Sequence, residues 1–325
     1  MADINWGIIG CGDVTEVKSG PAFNKVPDSK LVAVMRRDAE KVADYASRHK
    51  VDKWYTDADK MMDDAGINAI YVATPPASHM PYTLNALARG LHVYVEKPVA
   101  LNAAEARQIA DALSQSKAKL TVAHYRRAVP MFLYVKQLLD EQAIGDIRTV
   151  QIRMWQSIKP KLVANVAHNW RTDPALSGGG YFHDLAPHQL DIMLFYFGEP
   201  LTFQGYSLNQ SGASAADDHV SGQIIFKNKV VVNGSWCFNV ADSEVTDTCE
   251  IIGSKGKISF PFFGNAIVWH NDATSETKVF EHPQHIEQPM IEKTVAFFNG
   301  EQPNPCTIED AIVVMEMIDA FCTKA

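Results

Sequence analysis

Over roughly the first 125 residues, short apolar runs alternate with amphipathic ones, and that spacing leaves few folds open. INWGIIG, LVAVMR, AIYVATP, LHVYVEKP and KLTVAHY read as strands, while DAEKVADYASRH and HMPYTLNALARG between them read as helices. A strand, a helix and a second strand form a crossover, so the strands pair in parallel and helices cover both faces of the sheet. Beyond residue 145 the alternation stops. TVQIRMWQS, LTFQGYSL, VSGQIIFK, VVVNGSWCF, TCEIIGS and GKISF follow with turn residues between them, including the FKNKV hairpin signal, and predict an antiparallel sheet. YFHDLAPHQLDIMLFYFG interrupts it as a helix, and HIEQPMIEKTVAFFNG and TIEDAIVVMEMIDAFC close it. Two domains are expected: an α/β domain over residues 1–124, and an α+β domain over 125–325 with a large, mainly antiparallel open sheet. The C-terminal helix is a candidate to pack back on the first domain.

At 325 residues and 46% hydrophobic content, the chain can bury two cores. Its formal net charge of -8 argues against an electrostatic grip on nucleic acid or an anionic membrane. The start, MADINWGIIG, enters a strand pattern without the features of a signal peptide, and no apolar run is long enough to span a bilayer. Five cysteines, at 11, 237, 249, 306 and 322, are odd in number and scattered, offering neither a disulfide framework nor a CxxC zinc spacing. A reducing cytoplasm is the expected compartment.

GIIGCGDVT puts Gly10 and Gly12 at the end of the first strand, with Asp13 and Val14 opening a helix. The first glycine permits a tight turn, and the second lets backbone approach a pyrophosphate held by the helix N-terminus. The third motif position is Thr15. This is the Rossmann dinucleotide-binding context. An NAD site would place a carboxylate roughly 20 residues further on, at the end of the second strand. VAVMRRDAE offers Arg36 and Arg37 instead, whose guanidinium groups suit a 2′-phosphate, so NADP is expected, with NAD as the alternative. Asp38 is left two uses, capping the next helix or reaching a ribose hydroxyl.

VATPPASHMPYTLNALARGLHVYVEKPVALNAAEA, together with NWRTDPALSGGGYFHDLAPHQLDIMLFYFG, resembles the glucose-fructose oxidoreductase, inositol dehydrogenase and rhizopine catabolism family across essentially the whole chain. The resemblance implies that Thr74, Pro75 and Pro76, with His79, line the dinucleotide path. It implies that EKP at 96–98 brings Glu96 and Lys97 to the cofactor, its X-Pro peptide often cis. It also puts Trp170 and Arg171 over the active-site mouth, and implies homodimers or homotetramers through the C-terminal sheet and no metal. Thr15 and the AHYRRAVPMF stretch depart from the family pattern.

Lys97, at the end of the fifth strand, can hydrogen-bond a reacting oxygen and take part in proton transfer. Asp184, His188 and Asp191, spaced four and three apart, share one helix face, although Pro187 predicts an irregular or late-starting helix. There His188 can move a carbinol proton, Asp184 can hold a hydroxyl or orient the ring, and Asp191 is read as a supporting carboxylate. An Asp/His pair at this spacing can also serve zinc, but no HxxxH or cysteine pair completes such a site. The glycines at 178–180 are expected to give the nicotinamide clearance.

The expected function is hydride transfer between the nicotinamide and a sugar, cyclitol, diol or related polyhydroxy or keto compound, with Lys97, Asp184 and His188 as catalytic residues. An NAD-dependent glycoside hydrolase using transient oxidation and a non-catalytic NADP-binding regulator are the alternatives. Phe262, Trp269 and His285 are candidates to line the substrate pocket.

Overall fold

A computed structural model describes residues 3–163 and 169–323. The chain divides into two compact units, Met1–Val129 with His282–Ile312, and Pro130–Glu281 with Val313–Ala325. The segment 282–312 therefore counts with the first unit rather than with the sheet that precedes it in sequence.

The first unit holds a parallel sheet of β1 (Ile4–Ile9), β2 (Ser29–Met35), β3 (Lys53–Tyr55), β4 (Ala69–Val72), β5 (His92–Val95) and β6 (Leu120–Val122), in the order β3-β2-β1-β4-β5-β6. The order reverses at β1, where its loop and the loop after β4 open side by side, the usual ligand crevice of a doubly wound sheet. Residues 69–72 are buried without alternation, because helices cover both faces. Trp6, Phe23, Tyr71 and Tyr94 fill this core, with Trp6 4.8 Å from Phe23 and Tyr71 stacked 5.2 Å from Tyr94. β3 has no counterpart in the sequence pattern, since three residues, Lys53, Trp54 and Tyr55, at a sheet edge are too few to carry a periodic signal.

In the second unit the strands are β7 (Ile147–Trp155), β8 (Pro200–Leu208), β9 (His219–Phe226), β10 (Val231–Cys237), β11 (Thr246–Gly253), β12 (Gly256–Phe260), β13 (Ala266–Asn271) and β14 (Ser275–Val279). They run in the order β14-β13-β12-β11-β7-β10-β9-β8. All neighbours are antiparallel except β7 and β10. Along β7, Val150, Ile152 and Met154 are buried and alternate with more exposed residues. Trp236 on β10 donates from Nε1 to Gln189 Oε1 at 2.5 Å, tying the sheet to the Tyr181–Phe197 helix. Gly205 and Gly222 pair across β8 and β9, and the ring of Phe321 lies on them; a Cβ on Gly222 would come within 2.4 Å of it.

Three expectations are corrected here. The Tyr181–Phe197 helix neither starts late nor breaks at Pro187, whose missing N–H removes only one bond of the ladder. β13 and β14 form a hairpin where the sequence pattern assigns no strands. The three pocket candidates are packing residues. Phe262 is fully buried and stacks on Phe132 at 6.1 Å, Trp269 donates to Glu276 at 2.9 Å, and His285 donates to the Val17 carbonyl at 2.6 Å.

Candidate active site

Gly10 closes β1 at φ 93°, where a Cβ would sit 2.7 Å from Thr74 Cγ2 and 2.9 Å from Thr74 N. No side chain fits between these two loops. Gly12 differs: a Cβ there would meet nothing nearer than Gly10 O at 3.9 Å. Packing within the protein does not require a glycine at 12, and the open space suits a pyrophosphate at the start of the Asp13–Val17 helix. Asp13 is exposed and Val14 partly so at that helix start. Thr15 fills the third motif position without loss, its hydroxyl donating to Gly12 O at 2.8 Å and its carbonyl accepting from Tyr45 at 2.8 Å. Burial pushes the neighbouring Cys11 thiol up to about 11, leaving it unreactive.

At the end of β2, Arg36 Nη1 donates to Cys11 O at 3.1 Å, so this guanidinium is held against the glycine loop, and Arg37 beside it is exposed. Asp38 accepts from Lys41 N at 3.1 Å and pairs with Lys41 Nζ at 3.3 Å. Its carboxylate is thereby used as the helix cap.

After β4, Thr74 and Pro75 are partly exposed and Pro76 is buried. Thr74 Oγ1 is buried and finds no hydrogen-bond partner among the described residues. An orphan hydroxyl beside the open glycine loop fits a bound dinucleotide. His79, expected among the cofactor contacts, is instead 1% exposed, with Nδ1 2.8 Å from Pro98 O and Nε2 2.6 Å from Thr74 O. It ties the Thr74 loop to the loop carrying Lys97. The two carbonyls favour its charged form, but burial is the larger effect and lowers the pKa to about 4. His183 is lowered to about 4 by the same cause.

Both histidines take up protons in the unfolded chain before they do in the fold, so their stabilisation is complete above about pH 6.5 and is lost as pH falls toward 4. The melting temperature is expected to drop already between about pH 6.5 and 5, above the carboxylate range, and His183→Gln to flatten that drop. Thermal unfolding followed across pH checks both statements.

Lys97 is partly exposed immediately beyond β5, and the Lys97-Pro98 peptide is cis. Glu96, also expected at the cofactor, turns inward instead. It is 6% exposed and accepts from Tyr71 Oη at 2.5 Å and from Lys97 N at 3.2 Å. Tyr71 also reaches Glu287 at 3.4 Å, a residue absent from the sequence reading.

In the second unit, Arg171 Nε donates to Asp184 Oδ2 at 2.7 Å, and the Arg171 guanidinium lies 4.5 Å from the Trp170 ring centroid. Asp184 is thus held as the partner of an arginine, which suits hydrogen-bond acceptance better than proton abstraction. Arg171 Nη1 is buried with no partner among the described residues. His188 is 5% exposed, one helical turn beyond Asp184, with its ring edge-on to Phe263 at 5.8 Å. Asp191, 1% exposed, lies deeper on the same helix.

The glycines at 178–180 are explained by local packing. Gly178 ends the Pro174–Ser177 helix at φ 91°, a Cβ on Gly179 would strike the His183 ring at 2.2 Å, and one on Gly180 would meet Ala216 Cβ at 2.7 Å. Clearance for a nicotinamide is not needed to account for them. Among the described residues, no group of three or more His, Cys, Asp or Glu is placed to hold a metal ion, and no helix is long and apolar enough to cross a membrane.

A parallel sheet whose first turn exposes glycine backbone at a helix N-terminus is a dinucleotide-binding arrangement, here followed in the chain by a second domain built on a large open sheet. The chain belongs to the GFO/IDH/MocA family: residues 4–124 match its NAD-binding Rossmann oxidoreductase domain and residues 132–259 its C-terminal domain. It is 47% identical over 319 residues to oxidoreductase P35 of Formosa agariphila, covering 98% of each chain. It is 24% identical to the NADP(+) D-xylose 1-dehydrogenase of Haloarcula marismortui, over 88% of this chain and 81% of that one. A levoglucosan dehydrogenase solved with NADH and levoglucosan shares the fold, with a TM-score of 0.84 at 22% identity, covering 98% of this chain and 96% of the other.

Proposed function

We propose that the chain is an NADP-preferring dehydrogenase or reductase that interconverts a hydroxyl and a carbonyl on a sugar, cyclitol or diol. Lys97 carries this reading: it is a partly exposed amine at the C-terminal edge of a dinucleotide sheet, directly after β5. Thr74 and the Gly10 and Gly12 backbone hold the dinucleotide, and Arg36 and Arg37 take the 2′-phosphate, since Asp38 is committed to Lys41. The nicotinamide, when bound, accepts or returns the hydride at C4. Lys97 and His188 manage the proton of the reacting hydroxyl, and Asp184, fixed by Arg171, accepts a neighbouring hydroxyl. The substrates named for the xylose and levoglucosan dehydrogenases support a polyhydroxy class.

The outward face of the second sheet supports a dimer or tetramer, since Tyr206, Leu208 and Val268 are exposed on its strands. None of the five cysteines is in a disulfide, in keeping with a reducing cytoplasm.

A panel of aldoses, cyclitols, diols and their keto forms, assayed for NADPH and NADH turnover, tests the reading. Stoichiometric cofactor turnover is expected. Glycoside cleavage without net cofactor change would replace it with the hydrolase, and tight NADPH binding without turnover would replace it with a regulator.

A further inference from the structure

The buried carboxylates of Glu96 and Glu287 meet beneath the Lys97 loop. They are 6% and 1% exposed, and both reach the hydroxyl of Tyr71. Tyr71 has a single hydroxyl proton, and its 2.5 Å contact with Glu96 against 3.4 Å to Glu287 assigns that proton to Glu96. Glu96 also accepts the Lys97 amide at 3.2 Å. The two closest donors, the Tyr71 hydroxyl and the Lys97 amide, both serve Glu96, and two bare carboxylates buried side by side repel each other. Glu287 stands at the N-cap of the Gln288–Phe298 helix yet makes no side-chain cap bond, so its carboxyl is spent on this pair instead.

We infer that Glu287 is a positioning residue for Lys97: it carries the one proton of the pair and donates it to Glu96, so the floor beneath Lys97 holds a single negative charge, fixed on Glu96. This rests on the proposed role of Lys97. The groups facing the pair are Tyr71 from β4, Tyr94 from β5, Lys97, and Lys18 just past the Asp13–Val17 helix; Trp6 and Phe23 complete the apolar wall around the tyrosines. Tyr94 Oη is buried with no partner among the described residues, so it supplies no competing donor to Glu287. Burial raises both carboxyls, and the neighbouring Glu96 charge raises Glu287 further, well above its ordinary value. With the shorter donor contacts on Glu96, the proton rests on Glu287.

Infrared spectra of the full-length protein in D₂O near pH 8 test the pairing directly. A protonated-carboxyl C=O band is expected in the wild type and its loss in Glu287→Gln; absence of the band, or its survival in that variant, overturns the inference. In turnover assays the glutamine, which can still donate to Glu96, should keep kcat within roughly threefold, whereas Glu287→Met, similar in volume but with no donor, should lose roughly tenfold or more at unchanged dinucleotide Kd. Equal kcat in the two variants overturns the positioning role, and should the methionine variant not fold, the infrared result with the glutamine still decides the pairing. A wild type that turns over no substrate but shows the band sinks the proposed function and leaves the carboxyl pair standing.

Discussion

Replacing Lys97 by alanine is expected to lower kcat by roughly 10²- to 10⁴-fold, the range a positioned acid or base supplies. The Kd for the dinucleotide should stay within about threefold, since the glycine loop, Thr74 and the two arginines are left intact. Stopped-flow turnover with fluorescence titration of bound NADPH separates the two quantities. The loop that carries Lys97 is over-determined from below: Glu96 accepts its amide, Pro98 O receives His79, and His79 reaches back to Thr74 O. A truncation at the side chain therefore removes an amine without releasing the backbone that presents it. A variant that keeps most of the wild-type kcat would end the assignment of Lys97.

The second large effect is on cofactor choice. Arg37→Ala should weaken NADPH by roughly 10- to 100-fold, the worth of one charge-assisted contact to a phosphate, and leave NADH nearly unchanged. Arg36→Ala should behave differently, because Arg36 Nη1 also holds Cys11 O in the glycine loop. Its loss is expected to weaken both dinucleotides, with the larger effect still on NADPH. Equal losses for NADPH and NADH in Arg37→Ala would refute the phosphate assignment. Asp38 bears on the expectation, since its carboxylate is already engaged by the Lys41 amide and ammonium.

Much of this architecture was legible in the sequence because it rests on local pattern. β1, β2, β4 and β5 are buried over most of their length, and such strands leave continuous apolar runs that glycines and amphipathic helices punctuate. Gly10 could be placed from its motif, and the structure gives its reason in the approach of Thr74. Edge elements were harder. β3 is too short for periodicity, and the polar residues of β14 mask the alternation of the β13–β14 hairpin. Long-range chemistry was harder still: nothing around Glu287 marks it, since its meaning comes from Tyr71, 216 positions away. The glycines at 178–180 carry a visible signal for which local packing is already a sufficient reason: Gly178 has a positive φ, and Gly179 and Gly180 lie against His183 and Ala216 of the same unit.

The carboxyl pair also has a thermodynamic side. A glutamate that is protonated in the fold and ionised in the unfolded chain means that folding at neutral pH draws a proton from solution. Its contribution to stability is greatest below the ordinary glutamate range and declines as pH rises toward the elevated value in the fold. Glutamine at 287 would escape that cost, so selection for stability alone would favour the amide. The same glutamine that keeps the bond to Glu96 is therefore expected to gain stability over the acid as pH rises through neutrality.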